Sequence, residues 1–154
     1  MPVYQYKTTQ LLKADPEKVW EFISSPENLS KITPPHMGFE IISDELPEKM
    51  YPGMMIFYKV SPLKGFRTNW LTEITQVRDG EYFVDEQRSG PYAIWHHEHI
   101  LESEQNGVQM KDIITYKPPF GFLGEIANKL FIRKQLKKIF DYRYIRMDEM
   151  FNGE

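Results

Sequence analysis

The feature that most constrains this chain is a change of period. From residue 38 to 117, apolar and polar residues alternate with a spacing of two in segments 38–44, 54–62, 66–77, 81–88, 92–102 and 107–117. Breakers separate these segments: Pro47, Pro52-Gly53, Pro62, Asp79-Gly80, Gly90-Pro91 and Asn106-Gly107. Strands joined by such short turns pair antiparallel, so the six segments predict a meander. A further alternating stretch at 3–11, ending in Leu11-Leu12, adds a seventh strand. Beyond Pro118-Pro119-Phe120-Gly121 the period becomes helical and stays so. There Leu123, Ile126, Ala127 and Leu130 share one face, whereas Leu136, Ile139, Phe140, Met147 and Met150 cluster roughly 140° away on an ideal helix. One straight helix cannot bury both, which predicts a short helix over 122–131, a kink near 131–134, and a long helix to about Met150.

Between the first strand and the meander, Ala14-Asp15-Pro16-Glu17 provides a capping side chain, a proline for the first helical position and an early acid, ahead of Val19, Phe22 and Ile23. Ser25-Pro26-Glu27-Asn28 repeats the signal, and Thr33-Pro34-Pro35 stops it. Two short helices therefore follow strand 1. The fold class is α+β: a seven-stranded antiparallel sheet wrapped around a long C-terminal helix, in a single domain over 1–154.

Composition excludes several functions. The 154 residues are 41% hydrophobic and 14% aromatic, which suits a packed core, and the formal charge of −3 gives no footing for nucleic acid. With no cysteine, disulfides, zinc–thiolate sites and thiol nucleophiles are impossible. No apolar run reaches the ~18–20 residues of a bilayer span, and MPVYQYKTTQ lacks a signal-peptide profile, so a cytoplasmic location is expected. Phosphate-binding glycine loops, nucleophile elbows and metalloprotease helices are missing from the sequence.

One helix is narrower than the sheet it must cover. The spare width either collapses onto large side chains or stays open, and Met54, Met55, Phe57, Tyr58, Trp70, Phe83, Trp95, Met110 and Tyr116 are large and soft. The densest polar feature is Trp95-His96-His97-Glu98-His99. On a strand Trp95, His97, His99 and Leu101 share a face, and the tryptophan marks that face as buried. In the next strand Met110, Asp112, Ile114 and Tyr116 share a face, and the turn at Asn106-Gly107 brings Asp112 towards the histidines. A buried aspartate needs a donor, and His97 or His99 is nearest. The cluster admits three readings: a divalent-metal site, a His–Asp acid/base pair, or a structural hydrogen bond that doubles as a polar anchor for a ligand. The third is adopted, with no metal and no cofactor assigned. The basic run Arg133-Lys134-Gln135-Leu136-Lys137-Lys138 reads as a solvated helix face, with contact to a membrane surface as its alternative. His36 is given no role.

The order of elements resembles the helix-grip fold of the START and birch-pollen-allergen superfamily, also called SRPBCC. The segments Trp70-Leu71-Thr72-Glu73-Ile74, Phe83-Val84-Asp85-Glu86-Gln87, Gly90-Pro91-Tyr92 with Trp95 to His99, Met110-Lys111-Asp112 with Tyr116 and Pro118, and Ile139-Phe140-Asp141-Tyr142-Arg143 are similar to motifs of a bacterial subgroup. The resemblance implies a deep apolar cavity between sheet and terminal helix. It also implies a hydrophobic small-molecule partner, a lipid or polyketide-like compound, either carried or, alternatively, turned over by a cyclase, aromatase or dehydratase using a cavity histidine. Fold alone does not choose between carrier and enzyme. The residues expected to line the site are Phe57, Trp70, Phe83, Trp95, Met110 and Tyr116 as apolar walls, with His97, His99 and Asp112 as the polar anchor. Transient membrane contact is the further expectation for a carrier of such a compound.

Overall fold

The period-two segments form one antiparallel sheet in the computed structural model, which describes residues 2–63 and 65–153. Its strands are β1 (Tyr4–Leu12), β2 (Glu40–Ile41), β3 (Met54–Leu63), β4 (Phe66–Arg78), β5 (Tyr82–Ser89), β6 (Ile94–Glu104) and β7 (Gly107–Lys117). Their order across the sheet is β1-β7-β6-β5-β4-β3-β2, so every neighbour is also a sequence neighbour except β1, which closes against β7. The expected strand at 38–44 shrinks to two residues. The amides of Ile42 and Ser43 both reach the carbonyl of Phe57, at 2.8 and 3.2 Å, and a doubled contact to one carbonyl ends the ladder.

Gly107 illustrates how sequence sets register. Its φ of 144° suits glycine, and a Cβ there would stand 2.0 Å from the carbonyl oxygen of Leu12, so β1 can lie against the β6–β7 hairpin only over a bare backbone. The resulting register pairs His99 with Asp112 across β6 and β7, as the turn position predicts.

Helix α1 (Pro16–Ile23) begins as its sequence signal demands, with the Asp15 carboxylate accepting from the Glu17 amide at 2.9 Å. The second signal gives a 3₁₀ helix, Pro26–Ile32, and a single turn follows at Pro35–Met37. The C-terminal rod is α2 (Gly121–Ala127), a π turn (Asn128–Ile132) and α3 (Arg133–Phe151), continuous over 31 residues. The predicted kink is thus a π turn placed a few residues earlier, in which the Arg133 amide donates to Asn128. The buried stripe runs through Gly124, Asn128, Leu136, Phe140 and Met147. Gly124 is bare because α2 folds back tightly on the Pro118-Pro119 turn that leads into it, where a Cβ would meet the Pro119 carbonyl at 2.0 Å, and Asn128 is polar because its Oδ1 accepts from Tyr116 OH at 2.7 Å. Leu123, Ile126 and Leu130 are consequently left exposed rather than buried. No described helix is long and apolar enough to cross a membrane.

The main core occupies one end of the sheet, where α1 and the last turns of α3 close over Leu12, Val19, Trp20, Ile23, Phe83, Leu101, Val108, Met110 and Met147. The other end is covered by less.

Candidate functional site

Where α3 and the π turn span the wider end of the sheet, a cavity of about 690 Å³ remains. That lies within the ~300–1,000 Å³ common for small-molecule sites. Ile56, Tyr58, Val60, Trp70 and Ile74 line it from β3 and β4, Tyr92 from the connection before β6, Trp95 from the start of β6, and Ile132, Leu136, Ile139 and Phe140 from the helix. Aromatic contacts hold this wall: Tyr58 stacks on Trp70 at 5.9 Å, and Trp70 meets Trp95 edge-on at 5.2 Å. The Trp70 indole N–H donates to Thr72 Oγ1 at 3.1 Å, satisfying its one polar atom. Phe66, Gly90, Phe120 and Leu123 line the cavity and are also exposed, which marks its outer end.

The inner end abuts the solid core. There Phe83 lies flat against His99, with ring centres 4.0 Å apart, and His99 lies 3.7 Å from His97. His97 donates from Nε2 to Asp112 Oδ1 at 2.8 Å, and His99 from Nε2 to Asp85 Oδ2 at 2.6 Å. The outer nitrogens cross over, His97 Nδ1 standing 3.5 Å from Asp85 and His99 Nδ1 standing 3.4 Å from Asp112. Arg143, on α3, donates from Nη1 to Asp112 at 3.3 Å, while its Nε is buried with no partner.

These contacts set the protonation states. Burial pushes the Asp112 carboxyl up, but hydrogen bonds from His97 and His99 and the charge of Arg143 outweigh it, holding the group well below the usual carboxylate range. Asp85 is lowered in the same way, burial being overcome by the His99 hydrogen bond and the neighbouring cations. For His97, burial and then the charge of His99 prevail over its Asp112 hydrogen bond and bring it down to about 4. Burial also opposes charge on His99, yet its hydrogen bonds to Asp112 and Asp85 win and raise it. Two carboxylates thus face the Arg143 guanidinium and a His99 ring biased towards its protonated form, so opposite charges within the cluster pair with one another. Asp85, His97 and His99 could bring three ligand atoms within 4.8 Å of one another, a spacing a metal ion could bridge. Both rings already spend nitrogens on carboxylates, however, and the guanidinium beside Asp112 supplies the cation such a site would need.

Of the residues singled out from sequence, Trp70, Phe83, Trp95, His97 and His99 line the cavity. The other four are corrections. Phe57 sits half-buried on the opposite face of β3, because Met54 to Tyr58 is apolar at every position and alternation offers no choice of face. Met110 belongs to the solid core beside Leu12 and Met147. Tyr116 is tied to Asn128, and Tyr92 packs edge-on against it and lines the cavity in its place. Asp112 stands behind the histidines and reaches the cavity only through them and Arg143. Asp85, Tyr92 and Arg143 were missed. Asp85 shares the face of Phe83 two residues earlier, and Arg143 falls on the stripe between Phe140 and Met147, so local period gives each residue's side of its element but not what it meets.

The sequence pattern of the family described as polyketide cyclase / dehydrase and lipid transport matches residues 12–139. No curated protein matches by sequence. Solved structures share the fold at low identity. Protein CV1439 from Chromobacterium violaceum superposes with a TM-score of 0.71 at 13% identity, covering 97% of this chain and 98% of that one. TTHA0849 from Thermus thermophilus gives 0.66 at 16%, covering 99% and 98%. Ginseng major latex-like protein 151 from Panax ginseng gives 0.69 at 11%, covering 97% of each chain. The helix-grip architecture is therefore common to bacterial and plant proteins of little sequence likeness.

Proposed function

This chain belongs to the polyketide cyclase / dehydrase and lipid transport family, within SRPBCC, and from that premise we propose that it is a carrier or sensor of an apolar small molecule held between sheet and helix. The observation that supports this most is the cavity of about 690 Å³, whose walls are aromatic and aliphatic and whose charged groups gather at the inner end. A cluster whose charges are already paired favours an uncharged polar group on the guest over a carboxylate or an ammonium. The buried, unpartnered Nε of Arg143 supplies a donor for a carbonyl or hydroxyl oxygen entering that end.

Turnover by His97 or His99 is the competing reading, supported by two imidazoles shifted in opposite directions whose ring centres stand 3.7 Å apart. Acid–base catalysis works best with a pKa near the working pH. His97 at about 4 is a weak base, and His99, clamped by two carboxylates, releases its proton reluctantly, so binding accounts for the geometry better. Native mass spectrometry of protein purified from its own host tests the proposal. A copurified apolar compound is expected; lasting absence of any such mass, together with no uptake of a fluorescent naphthylamine probe, would overturn it. Histidine-dependent conversion of a polyketide-like substrate would instead establish the enzyme.

A further inference from the structure

The first half of the C-terminal rod presents an unusual surface. Phe120 is 83% exposed, Phe122 69%, Leu123 59% and Phe131 58%, with Ile126 and Leu130 beside them. An exposed apolar patch of this kind in a soluble protein marks an interaction surface. Basic side chains accompany it: between residues 120 and 138 stand Lys129, Arg133, Lys134, Lys137 and Lys138 against the single acid Glu125, in a chain whose overall charge is −3. Among the described residues only Lys137 of these five is in an ion pair, with Asp141 at 2.6 Å. Phe120 and Leu123 also line the outer end of the cavity, so the patch is continuous with its rim.

We propose that this face of α2 and the π turn docks onto an anionic lipid bilayer, seating the outer end of the cavity against the membrane. Phenylalanine and leucine beside lysine and arginine on one helical segment is the composition of elements that lie in the bilayer interface. The basic cluster selects the occupant. A second copy of this chain meeting the patch across a two-fold axis would bring two clusters of like charge together, whereas anionic head groups neutralise one. A guest leaving through this end would pass from one apolar phase to another without crossing water. That purpose rests on the carrier reading above; the docking itself does not.

Co-sedimentation with vesicles of phosphatidylcholine, with and without phosphatidylglycerol, provides the test. Binding to the anionic vesicles at least about tenfold tighter, weakening as salt rises, is expected. Phe122→Ser combined with Leu130→Ser, and separately Lys134→Glu combined with Lys138→Glu, change exposed residues that do not line the cavity. Each pair should abolish vesicle binding while leaving the melting temperature and probe uptake unchanged. No binding to any vesicle, binding indifferent to both pairs, or a dimer that the same substitutions dissociate would each overturn the proposal. Vesicle binding by a protein that takes up no probe supports the docking face and overturns the guest; probe uptake without vesicle binding does the reverse.

Discussion

Asp112 shows how one buried group organises a site it does not line. It is 2% exposed and is the shared acceptor of His97 and Arg143. Asp112→Ala leaves the Arg143 guanidinium without its carboxylate and the buried His97 Nε2–H without its acceptor, and should lower unfolding free energy by about 3–5 kcal/mol in urea titrations. Asp85→Asn, nearer the cavity and partly exposed, should cost visibly less. His97 carries a pH signature. Its folded value of about 4 lies below the ordinary 6.5, so between these values the unfolded chain binds a proton that the folded chain refuses. Stability from His97 is therefore complete above 6.5 and lost as pH falls towards 4, by on the order of 3 kcal/mol. His99 acts oppositely, stabilising below 6.5 and less as pH rises through its raised folded value. In His97→Gln the acid-side loss should flatten when melting is followed from pH 7 to 4; an unchanged slope would remove His97 as its source. The histidine face and its pairing with Asp112 were readable from alternation and one tight turn. Asp85 was not, because the longer connection through Gly90-Pro91 leaves the β5–β6 register free in sequence.

At the scale of elements, the C-terminal rod departs furthest from its expected form. Two apolar faces in sequence suggest a bend with both faces buried, but the π turn keeps the rod continuous and lets only one of them pack. The anchor is the hydrogen bond from Tyr116 to Asn128. Tyr116→Phe leaves Asn128 Oδ1 buried and unpaired, which should lower stability by about 1–3 kcal/mol by urea titration. Gly124→Ala forces a methyl against the Pro119 carbonyl. It should destabilise by a similar ~1–3 kcal/mol and displace α2 from the cavity rim. Proton exchange at the amides of 121–132 would report that displacement, and unaltered protection would show that α2 does not depend on the close approach.

For the whole molecule, the governing fact is unequal coverage: one end of the sheet is packed solid by α1 and the end of α3, and the other is spanned by the rod and the short segment from Leu29 to Phe39, which leave space between them. Val60 faces the open end and is buried. Val60→Phe should therefore fill space without overpacking, cutting probe uptake at least about tenfold while holding or raising the melting temperature. Equal uptake by the variant would place the probe elsewhere. Period, turn residues and capping signals are local, and by themselves they determined seven strands, the meander order of the last six, the short helices after β1 and the helical C-terminus, because each rests on neighbours within a few residues; the pairing of β1 with β7 does not. Which faces met, that Tyr116 and Met110 pack away from the cavity while Asp85 and Arg143 approach it, and that α2 keeps its apolar side outward were decided only in the tertiary structure. Those outcomes depend on register across separate strands and on steric approach at Gly124, quantities that no local pattern carries.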